Sequence, residues 1–177
     1  MNTLTEITRK FAALDGIEEG QHVQYEKSLR NLCQRNNLPP TEQRGRVFHY
    51  DQSAAVAIRL AQIANEFGVS RPVLQHLAYW LAETGERRTK VPGGWLGVSH
   101  AREAVERTKA GEEFAISVIC GQDWRFRVEA DWGPKKVKDP ELQAAIQAAG
   151  RAHAPEIARL TLPASEIIAS VLSVIGE

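Results

Sequence analysis

The sequence is poor in cysteine. Cys33 and Cys120 are its only two, far apart and with no His or Cys beside them. That excludes a disulfide framework and argues against a structural zinc site, which needs about four ligands. The opening residues, MNTLTEITRK, lack the basic-then-apolar order of a secretory signal, so a reducing, cytoplasmic setting is expected. No apolar run approaches the ~20 residues of a membrane span, which excludes a bilayer helix. Net charge is absent too. The 22 basic and 22 acidic residues cancel, so no global field draws the chain to nucleic acid or an anionic membrane. A local basic face suffices for nucleic acid, however.

Catalytic signatures are also missing. The sequence holds no glycine-rich phosphate loop, no HExxH, no CxxC and no Gly-x-Ser-x-Gly. His22, His49, His76, His100 and His153 are scattered, and no carboxylate pair has local spacing suited to acid–base work. The expectation is a protein that is not an enzyme, with no cofactor and no metal.

What is present is helical periodicity interrupted by short β-prone stretches. Residues 3–14 place Leu4, Ile7, Phe11 and Leu14 on one face, and Asp15-Gly16 ends the pattern. Residues 17–20 form an acidic turn. A second helix is expected over 21–36, burying Tyr25, Leu29 and Leu32 with Val23 and Cys33. Lys27, Arg30, Asn31, Gln34 and Arg35 are left for its outer side. Asn36-Asn37 suit a left-handed helix end, and Pro39-Pro40 forbid continuation.

Residues 42–50 are short, basic and β-prone. Gly45 turns them between Arg44 and Arg46, and Val47, Phe48, His49 and Tyr50 form the returning strand. A basic helix followed by a basic hairpin is the layout of a winged helix. The helix fits a DNA major groove, and the hairpin reaches the flanking backbone or minor groove. An ordinary solvated face is the alternative for the same cations.

Asp51 or Ser53 caps a third helix to Phe67, and Ser70 and Pro72 start a fourth that has a broad apolar face (Val73, Leu74, Leu77, Trp80, Leu81) and should be substantially buried as a whole. The stretch AQIANEFGVSRPVLQHL also has the rhythm of an ordinary helix-turn-helix, in which Ser70, Arg71, Gln75 and His76 would face bases.

Residues 28–40, SLRNLCQRNNLPP, resemble the end of the DNA-binding helix in the MerR family of regulators, roughly TLRYYERKGLLPP. The following hairpin resembles that family's wing, and the next two helices resemble its helix pair. The likeness covers about residues 3–82. It implies backbone contact by Arg30 and by the wing residues Arg44 and Arg46, with Tyr50 as the wing's closing tyrosine. The sequence departs from the family where Phe48 stands at a frequent wing arginine, where Asn31 and Leu32 replace a double tyrosine, and in a longer loop over 15–21. No long dimerising coiled coil follows residue 82.

The glycines, the proline and the basic cluster of residues 85–98 suggest a linker or exposed loop between two domains, 1–84 and 99–177. Beyond it, Ser99 caps a helix to Ala110. Residues 114–120 and 124–132 form a hairpin with Trp124, Phe126, Val128 and Ala130 on one face. Residues 133–136 form a loop, 140–153 a helix, 158–162 a third strand, and Pro163 and Ser165 begin a last apolar helix.

The expected fold is therefore mostly α with small β: a winged helix-turn-helix followed by a small α+β domain with a β-hairpin. The expected function is sequence-specific binding of double-stranded DNA by a bacterial or phage-type transcriptional regulator. The site residues are Lys27, Arg30, Asn31, Gln34, Arg35, Arg44, Arg46 and His49. Residues 99–177 would provide a homodimer contact, a partner site or an effector site of unknown ligand. The competing expectation is a protein–protein adaptor that reuses the same shape.

Overall fold

A computed structural model describes residues 1–132 and 154–176. The expected loop at 133–136 and helix at 140–153 lie outside the described residues. The described chain is an α+β arrangement of helices with small antiparallel sheets. No helix among the described residues is long and apolar enough to cross a membrane.

Helix α1 (Leu4–Leu14) starts from a capping box. The Thr3 backbone N–H donates to Glu6 Oε2 at 2.7 Å, and the Glu6 N–H donates to Thr3 Oγ1 at 3.3 Å. After a 3-10 turn, α2 (His22–Arg35) buries Leu29, Leu32 and Cys33. Val23, expected in that stripe, is instead 67% exposed, because it lies in the first turn, outside the buried stripe. Asn37 takes a left-handed φ of 53°, and the Leu38 N–H reaches back to the Cys33 carbonyl at 3.0 Å. That bond closes α2 as a Schellman motif, with Leu38 buried behind it.

Strands β1 (Asn2–Thr3), β2 (Glu42–Arg44) and β3 (Val47–Tyr50) form a sheet ordered β1-β3-β2. Asp51 caps α3 (Gln52–Glu66) by accepting from the Ala54 N–H at 2.8 Å. Helix α3 buries residues around most of its circumference and packs on α2, on α4 (Arg71–Ala82), on α5 (His100–Lys109) and on α6 (Ala164–Ile175).

The expected linker at 85–98 is in fact a second hairpin, β4 (Thr84–Val91) with β5 (Gly94–Ser99). Its strand character comes from Thr89, Val91, Trp95, Leu96 and Val98, and a turn at Gly93 (φ 93°) reverses it. Arg87 anchors it, pairing with Glu106 of α5 at 3.8 Å and with Glu112 just beyond that helix at 3.0 Å.

The remaining sheet, β7-β6-β8, centres on β6 (Ile116–Gly121), flanked by β7 (Phe126–Ala130) and β8 (Glu156–Leu162). Every residue of β6 is buried. Trp124, expected on the inner face, is 76% exposed with a φ of 60°. It belongs to the turn before β7. Helix α6 turns Ile168, Val171 and Ile175 inward onto α3 and α5, so its apolar face is spent inside the chain. One core cluster runs from Ile7 to Ile175, joining the halves expected to be separate domains.

Two polar networks sit against this core. Arg59 on α3 holds Asp15 with two hydrogen bonds of 2.5 and 2.7 Å. Asp15 also accepts from the Tyr25 hydroxyl at 2.6 Å, and Gln62 donates to that hydroxyl at 2.7 Å. The group therefore ties α1, α2 and α3. Burial works to raise the Asp15 pKa, but the Arg59 and Tyr25 hydrogen bonds and the Arg59 charge outweigh it, and the result lies below the usual 3.8. Burial, then the bond to Asp15, pushes the Tyr25 phenol up to about 12. In the second network Glu103 is fully buried. It accepts from Arg107 at 2.8 and 3.0 Å, and Arg107 also reaches Glu112 at 2.6 Å and lies over the Trp132 ring at 4.9 Å.

Asp15→Asn should lose about 1–2 kcal/mol at neutral pH, as a charged hydrogen-bond partner is removed. Because the folded pKa is lowered, the advantage of the native aspartate is complete above the ordinary carboxyl range. It fades as pH falls through the folded pKa, below 3.8. Urea unfolding of both proteins from pH 7 to pH 2.5 should show the two stabilities converging in acid. Glu103→Ala should cost about 1–3 kcal/mol in the same assay, since it leaves the Arg107 guanidinium with only its bond to Glu112. Arg87→Ala, whose side chain is 34% exposed, should cost under about 1 kcal/mol.

Candidate nucleic-acid interface

Burying Leu29, Leu32 and Cys33 fixes the rotation of α2. With a period of 3.6 residues, the opposite side must carry Lys27, Arg30, Asn31, Gln34 and Arg35, and all five are exposed. A groove borders this face on each side. The first, about 340 Å³, lies between α2 and the β2–β3 hairpin; Arg30, Gln34, Arg46 and Phe48 line it. The second, about 390 Å³, lies between α2 and the start of α4; Lys27, Asn31, Arg35 and Arg71 line it. The α4 end is seated by Gln75, whose side-chain amide donates to the Arg35 carbonyl at 3.2 Å.

The cations differ in how far they are already neutralised. Arg30 binds Glu26 at 2.6 Å, one turn back on α2, and Glu26 also accepts from the Thr5 hydroxyl at 3.0 Å. Arg44 is paired with Glu42 on its own strand. Lys27, Arg35, Arg46 and Arg71 have no ion-pair partner among the described residues. The uncompensated charge thus brackets α2, with Arg46 on one flank and Lys27, Arg35 and Arg71 on the other.

Two expected site residues stand apart. The register pairs Arg44 with Val47 and Glu42 with His49. Side chains alternate along a strand, so Arg44 and His49 share the hairpin face opposite Phe48 and Tyr50, and neither lines a groove beside α2. His49 also sits in the middle strand of its sheet, opposite Thr3 on one side and Glu42 on the other.

The alternative recognition helix does not assemble as one surface. Arg71 joins the α2 groove, Gln75 is engaged with Arg35, and His76 turns toward Phe126 with ring centroids 5.8 Å apart. Helix α4 as a whole is amphipathic, not substantially buried. It buries Leu74, Leu77, Ala78 and Leu81 and exposes Arg71, Pro72, His76 and Tyr79. Arg71 was legible only as a member of that alternative. Its place beside Arg35 depends on how the α3–α4 turn folds back, which local sequence does not encode.

Burial pushes the Cys33 thiol up to about 12, and the residue lies in the core under the first groove. Among the described residues no group of three or more His, Cys, Asp or Glu is placed to hold a metal ion. No protein family, curated protein or solved structure matches the chain.

Gly45 turns the β2–β3 hairpin at a φ of 61°. Gly45→Ala meets no steric obstacle, yet it should cost about 1 kcal/mol because a Cβ disfavours that backbone region. Faster amide hydrogen exchange at Thr41, whose N–H donates to the His49 carbonyl at 2.9 Å, would report the loosened hairpin.

Proposed function

We propose that this chain binds double-stranded DNA through a MerR-like winged helix-turn-helix and acts as a bacterial or phage-type transcriptional regulator. Helix α2 enters the major groove. Hairpin β2–β3 is the wing and lies on the flanking backbone. The observation that carries this reading is the exposed α2 face, where Lys27, Arg30, Asn31, Gln34 and Arg35 lie between two grooves that each add a cation. A helix with its side chains is about 10–12 Å across, which matches a major groove about 12 Å wide. Asn31 and Gln34 supply the amides that pair with adenine edges, and the arginines suit guanine or phosphate. Residues 99–177 support a homodimer or receive a partner in this reading.

A second reading has its own support. Arg30 and Arg44 are already neutralised by Glu26 and Glu42, and the chain has zero net charge. Both features suit a protein–protein adaptor built on the same shape. An adaptor shows no salt-dependent retention on duplex DNA.

Binding to random-sequence duplex fragments, measured by fluorescence anisotropy over a salt series, separates the two. Each lost phosphate contact lowers the slope of log K against log salt by about 0.9. Arg46→Ala should lower the slope by roughly that amount and weaken binding on all sequences, and Arg30→Ala, whose charge Glu26 already meets, should do the same by a smaller amount. Asn31→Ala should leave the slope unchanged and relax sequence preference. Wild-type slopes in both arginine variants would remove α2 and the wing from the interface.

A further inference from the structure

Hairpin β4–β5 carries two exposed cations and an exposed aromatic on one face. Arg88 and Lys90 alternate onto one side of β4, and the register sets Lys90 opposite Trp95 and Arg88 opposite Gly97. Cross-strand partners share a face, so Arg88, Lys90 and Trp95 lie together. On the other face Arg87 turns toward Glu106 of α5 and toward Glu112 just beyond that helix, and Leu96 is exposed. Arg88, Lys90 and Trp95 are all exposed, Trp95 by 66%. Neither Arg88 nor Lys90 has an ion-pair partner among the described residues.

The hairpin is rooted beside the proposed wing. One cavity of about 190 Å³ has Thr41 and Asp51 in its wall, at the two ends of the β2–β3 hairpin. Ala82 and Ser99, at the two ends of β4–β5, line the same cavity. Both roots are fastened. The Asp51 N–H donates to Thr41 Oγ1 at 2.9 Å, and the His100 N–H donates to the Glu83 carbonyl at 2.9 Å. From that root β5 extends about 20 Å, at roughly 3.4 Å per residue.

We infer that β4–β5 is a second nucleic-acid arm, placing Arg88 and Lys90 on phosphates of the same duplex and Trp95 against a base step. This rests on the DNA-binding reading above. Phosphate is the partner that charge complementarity selects, since the two cations are uncompensated and lie next to the aromatic ring. An exposed indole can stack on or wedge between bases of any sequence. Together the two hairpins would hold the duplex on either side of one root.

The test uses the full chain, anisotropy with a random-sequence duplex, and three proteins beside the wild type: Arg88→Gln/Lys90→Gln, Trp95→Ala and Arg46→Ala. The double variant should lower the salt slope by about 1.8, twice the effect of Arg46→Ala. Trp95→Ala should weaken binding about fivefold or more with the slope unchanged. Thermal melting establishes that each variant is folded. If Arg46→Ala weakens binding while both β4–β5 changes leave affinity and slope as in the wild type, the second arm is overturned and the DNA-binding reading stands. If the wild type shows no salt-dependent retention, both fall. Co-sedimentation with phosphatidylcholine–phosphatidylserine vesicles that depends on Trp95, with DNA affinity unaltered by its loss, would reassign the arm to a membrane surface and overturn the inference.

Discussion

The structure depends on the burial of one alanine-rich helix. Gln52–Glu66 meets four other helices, and a helix can be surrounded that closely only if its side chains are short. Ala55, Ala57, Ala61 and Ala64 provide the close approach, while Val56, Ile58 and Leu60 fill the space between neighbours. This packing joins the two halves of the chain, because α2 and α4 from one half and α5 and α6 from the other all contact it. Among the described residues one core cluster spans both sides of residues 84–99.

The orientation of the exposed α2 face follows from the same constraint. Once Leu29, Leu32 and Cys33 are turned to the core, Lys27, Arg30, Asn31, Gln34 and Arg35 have only the solvent side left. The Asp15–Arg59–Tyr25–Gln62 network fixes that rotation from the side, because Tyr25 is on α2 and Arg59 and Gln62 are on α3. The Schellman closure at Asn37 then aims the chain into Pro39-Pro40 and the first hairpin, which sets Arg46 across a groove from Arg30. Helix end, turn and strand thus place cations from two separate elements on the borders of one face.

Much of this was legible locally. The capping residue Ser99, the Asn36-Asn37 stop and the Gly45 turn marked their elements, and Asp51 was one of two capping candidates, since each acts through bonds to its own neighbours. The α2 surface followed from helical period alone. The misses are tertiary. Residues 84–99 read as a polar connection because the charges that anchor the hairpin, Arg87 and the carboxylates of Glu106 and Glu112, are far apart in sequence. Trp124 was assigned inward by alternation, but the turn before β7 ends the strand pattern just after it. Arg44 and His49 were read as wing residues, and the hairpin register sets them on one face with Glu42 and Val47.

The pairs Glu26–Arg30 and Glu42–Arg44 have one more effect. Each arginine carries a tethered competitor for any anion that approaches it. Exchange of one carboxylate for one incoming anion is close to neutral in energy, so these positions add little to loose, poorly aligned encounters. They add more when an incoming group engages more of the guanidinium than the paired glutamate does. A surface built this way discriminates by fit: its free cations set the general attraction, and its self-occupied ones respond only to a partner that arrives in register.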